Sequence, residues 1–240
     1  MGVYYGKDLA KKHMNVIPPM AVGVCGGNDN MTKLVANYWP VYKMILENEK
    51  TKKYPKWVLQ VLIALHVLTF KWQKVKENTL SHAFVYFGGG KNEVIETALS
   101  NISWMFFKIP HGQIKSTDLK DKLHDDNWIT VYANSKMTVE GMQRGKDFGY
   151  GSIGVPYDLQ ALYGFIDVDK DHDWKEGQIC TESTANIIRR TGVELVPEVT
   201  NSKIHPEQLR EWLESDVAKE AGWKKICTWN GPKKEFVTYV

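Results

Sequence analysis

The stretch from Ser81 to Leu99 constrains this chain more than any other part of it. Up to Val75 apolar residues recur at helical spacing; from Ser81 the period changes to two, with SHAFVYF, then GGGKN, then EVIETAL. Two runs of β-formers around a glycine-rich connection read as a β-hairpin. Taking GGG as a three-residue turn pairs Phe87 with Lys91 and sets His82 opposite Glu96 on one face. A slip of one residue would put those two side chains on opposite faces.

Helices surround the hairpin. Met31 to Glu49 places Leu34, Val35, Tyr38, Tyr42 and Ile45 at helical spacing, with Pro40 expected to kink it. Lysine-rich KTKKYPK leads past Pro55 into an apolar helix from Trp57 to Val75. Its apolar run, Trp57 to Phe70, is 14 residues long and interrupted by Gln60 and His66. A spanning helix needs roughly 20 residues, so a buried helix is expected and no transmembrane segment. Trp128 to Ala133 reads as a strand and Thr138 to Phe148 as a helix. The acidic DVDKDHDW lacks the glycine and glutamate of a calcium-binding EF-hand loop and reads as a solvated loop.

Charge divides the chain. Residues 1–80 carry 12 Lys+Arg against 5 Asp+Glu, net +7, and the remainder 19 against 23, net −4. The expected organisation is a basic helical extension over 1–80 and a catalytic domain over 81–240. The basic hairpin, with Trp57 and Trp72 on its rim, could meet an anionic surface, although a solvated lysine face is the commoner meaning of such runs. Specific nucleic-acid binding is not expected, because the overall charge is only +3 and aromatics are not interleaved with a basic strand pattern. The N-terminus lacks the apolar core of a secretion signal. Cys25, Cys180 and Cys227 are too few and too scattered for a disulfide framework or a metal knuckle, which fits a reducing, cytoplasmic setting.

One cysteine is placed for chemistry. CTESTANIIRRTG has Cys180 at its start, Ile187 and Ile188 on one face and Gly192 as a stop, which reads as a short helix. Unpaired N–H groups and the helix dipole stabilise a thiolate in a first turn. Ile187 and Ile188 would lie on a sheet, so the sulfur would face that sheet and the sheet would supply a base. His82 fits that role, with Glu96 orienting the ring. The plainer readings stand beside it: a histidine at a strand start more often packs or caps, and a buried cysteine is usually a small hydrophobe.

SHAFVYF followed by VIETA resembles the paired strands of the permuted NlpC/P60 proteins, the group that includes YiiX-like proteins and relatives of lecithin:retinol acyltransferase. Further along, VPYDLQALYGF resembles the segment before the family's nucleophile, QICTESTANIIRRTG its nucleophile helix, and IHPEQLREWLES its closing segment. The resemblance covers Ser81 to Ser215, poorly over 100–145. It implies an α+β, circularly permuted papain-like fold: a small, partly barrel-like antiparallel sheet with packed helices. It also implies Cys180 as nucleophile, His82 as base and Glu96 as the third polar residue, with Tyr157 lining the cleft or assisting the oxyanion. Asp158 and Glu182 would cap or brace. Two departures stand: Thr181 replaces a common serine, and the family's Gly-Asp strand before the histidine is missing, its place taken by the helical hairpin.

The expected reaction is acyl transfer through a Cys180 thioester, without cofactor or metal. Peptide and cell-wall amides are candidate substrates for a peptidase or amidase. Lipid acyl groups would suit an acyltransferase or thioesterase, and a binding protein that kept the fold without turnover is the rival from another class. Cys25 competes as nucleophile, because unpermuted NlpC/P60 enzymes place the cysteine before the histidine. It lies ahead of any helix start, however, which weakens the dipole argument.

Overall fold

A computed structural model describes residues 1–27, 33, 35, 38–51, 53–69, 80–89, 92–104, 107–158, 178–196 and 204–239. Among these residues eight strands form one open antiparallel sheet: β1 (Gly2–Tyr5), β2 (Ala21–Gly26), β3 (His82–Gly88), β4 (Glu93–Trp104), β5 (Phe107–Asp118), β6 (Trp128–Asn134), β7 (Trp223–Asn230) and β8 (Glu235–Thr238). Their order across the sheet is β1-β8-β7-β6-β2-β3-β4-β5. Seven helices accompany them among the described residues: α1 (Lys7–His13), α2 (Trp39–Thr51), α3 (Lys56–Thr69), α4 (Val139–Gly151), α5 (Cys180–Arg190), α6 (Pro206–Leu213) and α7 (Asp216–Glu220).

The expected α+β mixture is present, but the sheet is wider and more open than a small barrel. Nor is the division at residue 80 the one the sheet makes. β1 pairs with β8, and β2 lies between β6 and β3 in the middle of the sheet, so among the described residues of 1–80 α2 and α3 form the helical unit outside the sheet. β2 escaped the sequence pattern for a physical reason. AVGVCG is buried along most of its length, so no polar residues alternate to mark it as a strand. Its Gly23 makes room for a ring: a Cβ there would come within 2.0 Å of Phe84 on the adjoining strand.

Each face of the sheet has its own core. Ala83, Val85 and Phe87 of β3 and Ile95 of β4 pack with Ala185, Ile187 and Ile188 of α5. Phe84, Tyr86 and Val94, one residue out of phase, pack with Ala10 and Met14 around α1. Burying one such aliphatic side chain contributes about 1.5–3 kcal/mol relative to exposure, so the two isoleucines alone hold α5 firmly on β3 and β4. α4 closes over α5 through small residues: a Cβ at Gly141 would lie 2.2 Å from the Thr191 carbonyl oxygen. Gly192 ends α5 at φ 86°, as its sequence position implies.

Two helix expectations change. Pro40 stands in the first turn of α2, where its missing N–H costs nothing, rather than kinking a longer helix. α3 is buried on one side only: Leu59 and Ile63 meet Tyr38, Tyr42 and Ile45 in a small core, while Trp57, Val61, Leu65 and Leu68 are exposed. Trp72 and the acidic DVDKDHDW lie outside the described residues. No helix among the described residues is long and apolar enough to cross a membrane.

Candidate active site

The site forms where the start of α5 meets the start of β3. Glu207 of α6 fixes that strand's approach, its carboxylate accepting from the Leu80 N–H at 2.6 Å while Arg210 holds its other oxygen at 2.9 Å. At the rim of the sheet the His82 ring hydrogen-bonds the Glu96 carboxylate and lies near enough to Cys180 for the two side chains to shift each other's protonation. The Glu96 contact runs from Nε2 to Oε2 at 2.6 Å, which leaves Nδ1 as the nitrogen available to the sulfur.

His82 and Glu96 meet, but not as direct cross-strand partners. The pairing is Val85 with Ile95 and Tyr86 with Val94, followed by a bulge before Gly88. That register is two residues away from the one a three-residue GGG turn would set. A shift of two preserves the face, so Glu96 reaches His82 diagonally across the strands.

Glu96 is tied on every side. Oε2 also accepts from Lys122 Nζ at 2.5 Å, and Oε1 accepts from the Thr117 hydroxyl at 2.8 Å. β5 supplies Thr117, and Asp118 at its end accepts from the Lys120 N–H to cap the 3-10 turn of Leu119–Lys122 that brings the ammonium back. Lys122 also lies over the Phe84 ring, 5.5 Å from its centroid, the ring for which Gly23 leaves space. Burial opposes the charge on Glu96, but its hydrogen bond to His82 and the charges of His82 and Lys122 hold the carboxyl well below the usual range.

The same charges organise the other two groups. Burial works against imidazolium at His82, yet the charge and hydrogen bond of Cys180, together with Glu96, push its pKa well above the ordinary value. Burial likewise disfavours a Cys180 thiolate. The imidazolium, with hydrogen bonds from the backbone N–H groups of Ala83 and Thr181, outweighs it and lowers the thiol pKa. An ion pair of thiolate and imidazolium is the state these shifts favour together.

The other cysteines differ. Cys25 sits on β2 directly across from His82, much closer to the site than its place in the sequence implies. It stands within a strand rather than in a helix's first turn, and burial raises its pKa more than His82 and Lys122 lower it. Burial in the core around α1 raises Cys227 as well.

Tyr157 is buried at 8 % exposure, its N–H donating to the Gly112 carbonyl at 2.8 Å. Burial, then the charges of Cys180 and Asp158, keep its hydroxyl protonated. Asp158 is fully buried, and Glu182 caps α5 by accepting from the Ile179 N–H at 3.4 Å. Thr181 donates to the Ile204 carbonyl at 2.5 Å. An open cleft of about 430 Å³ adjoins the site, lined by His82 with Cys25, Gly26, Ser81, His124 and Asn127. Cys180 is 6 % exposed and is not part of that lining.

Sequence reasoning missed Lys122, Thr117 and the nearness of Cys25. Their signal is weak: Lys122 is one lysine among many, and the contact exists only because a capped turn folds it back over the sheet. Among the described residues no group of three or more His, Cys, Asp and Glu is placed to hold a metal ion. No family model matches the chain, and neither a curated protein nor a solved structure does.

Proposed function

We propose that this protein is a cysteine-dependent hydrolase of peptidase or amidase type, built on the permuted NlpC/P60 plan, with Cys180 as nucleophile, His82 as acid and base and Glu96 as the group that orients the ring. The observation that supports it best is the single imidazole that hydrogen-bonds a buried carboxylate on one side and lies beside a helix-start thiol whose protonation it shifts on the other.

In this reading the Cys180 thiolate attacks the carbonyl carbon of an amide or ester. The oxyanion is met by backbone N–H groups at the start of α5, of which Thr181 is the nearest in sequence. The imidazolium passes its proton to the leaving amine or alcohol, giving a Cys180 thioester. Neutral His82 then takes a proton from water, which attacks the thioester and releases the acid and the thiol. Glu96 keeps Nε2 occupied throughout, so Nδ1 is the atom that gives up and takes back the proton.

Alkylation with iodoacetamide, followed by peptide mapping across pH, tests this. A lowered thiol pKa means thiolate persists below the range near 8.5 where an ordinary cysteine reacts. Cys180 is therefore expected to label first and at the lowest pH. His82→Ala is expected to raise the thiol pKa, Glu96→Gln to raise it less, and the double variant to be no worse than His82→Ala, since members of one unit are not additive. Faster labelling of Cys25, or an inert Cys180, would sink the assignment. A reactive Cys180 with strictly additive losses would remove Glu96 and leave a dyad.

A further inference from the structure

The exposed side of α3 is unusual for a water-facing helix. Trp57, Val61, Leu65 and Leu68 are 64, 47, 53 and 69 % exposed. Their spacings of four, four and three residues align them along one stripe. On the opposite side Leu59 and Ile63 pack with Tyr38, Tyr42 and Ile45, and His66 is buried beside Tyr38. α2 in turn is tied to the rest of the molecule. Trp39 stacks on His205 with centroids 4.8 Å apart and donates to Glu211 at 3.2 Å, and Lys43 pairs with Glu211 at 2.6 Å. The hairpin thus turns one face inward through α2 and leaves the apolar stripe of α3 outward.

Charge indicates what that stripe meets. From Lys50 to Lys76 the chain carries seven lysines, at 50, 52, 53, 56, 71, 74 and 76, and no aspartate or glutamate. These cations precede and follow the apolar run, and Trp57 stands at its start. The helix has 14 residues, too few to cross a bilayer, which needs roughly 20. An apolar stripe of this length, in a segment whose sequence is basic on either side of it, suits a helix lying in the plane of a membrane surface with its apolar side chains among the acyl chains of anionic lipid.

We infer that α3 is an interfacial anchor that docks this protein onto an anionic lipid surface. The inference is independent of the reaction at Cys180, because none of the stripe residues belongs to that site. If both hold, the anchor confines the cleft to substrates at or near that surface.

The test uses the full-length protein and sedimentation with vesicles of phosphatidylcholine alone or mixed with phosphatidylglycerol, at low and high salt. Wild type is expected to sediment with the anionic vesicles, more weakly at high salt. V61S/L65S is expected to bind at least roughly tenfold more weakly, because it removes apolar area that only a membrane would bury. Both positions are exposed, so unchanged circular dichroism and unchanged Cys180 alkylation are expected to show an intact fold. Trp57 fluorescence, isolated by difference against W57F, is expected to be quenched by brominated lipid. Three results would overturn the inference: wild type left in the supernatant with every vesicle, V61S/L65S binding as tightly as wild type, or a wild-type dimer that V61S/L65S converts to monomer, which would give the stripe to a second copy of the chain.

Discussion

The junction of β3, β4 and α5 and the hairpin of α2 and α3 both use short apolar segments, yet they end in opposite conditions. At the junction both faces of the sheet are covered, and the charged groups that remain inside are matched: Glu96 with His82, Lys122 and Thr117, and His82 with Cys180. In the hairpin Tyr38, Tyr42, Ile45, Leu59 and Ile63 form a core of their own, and the side of α3 that carries Trp57, Val61, Leu65 and Leu68 is left open. Closure on both sides lets charges be held at fixed geometry in a poorly screened setting, which acid-base chemistry needs. A helix with an open apolar side cannot do that, but it can adhere.

The largest expected effect tests where the boundary between these regions falls. A chain beginning near residue 76 loses β1, α1 and β2, and with β2 the partner of both β3 and β6. It is expected to lose cooperative folding, read by near-ultraviolet circular dichroism. A folded product would restore the division at residue 80.

Core substitutions sharpen the contrast. Ile187→Ala on α5 is expected to destabilise the protein by about 2–5 kcal/mol in chemical denaturation, as a deletion in a closed core does. Ile63→Ala on α3, in the smaller core, is expected to fall at or below the low end of that range. Equal costs would mean that the two regions are equally well packed.

Acid titration of stability isolates the charged junction. Glu96 has a folded pKa below its unfolded value of about 4.5, so its contribution is present above that pH and is lost as pH falls towards the folded pKa. Glu96→Gln removes this proton linkage, and below the ordinary carboxylate range its stability is expected to fall less steeply than that of wild type. His82 has the opposite sign. Its raised pKa contributes most below its unfolded value near 6.5, and the contribution is lost as pH rises through the folded pKa. Near neutral pH, removing the charge-assisted bonds of Glu96 is expected to cost about 1.5–3 kcal/mol. An unchanged acid slope would mean that the carboxylate is not the ionised partner drawn here.

The smallest effect belongs to the open face. V61S/L65S is expected to change unfolding free energy by no more than about 0.5 kcal/mol, since the native state buries neither side chain. A larger loss would show that the stripe packs against the protein itself.

The sequence by itself determined the elements that carry a local signature: the glycine-linked hairpin, the strand at Trp128, the helix that Thr138 caps, and α5 from Cys180 to its Gly192 stop. It also placed His82 and Glu96 on one face, because face depends only on parity, and a register error of two residues leaves parity intact. What it could not determine depends on neighbours distant in sequence. β2 shows no alternation because it is covered on both sides, and Cys25 comes beside His82 only through its pairing with β3. Lys122 finds Glu96 only after Asp118 caps the turn at the end of β5. Half of α3 stays exposed although its residues alone read as buried, because burial is decided by what α2 covers and not by hydrophobicity.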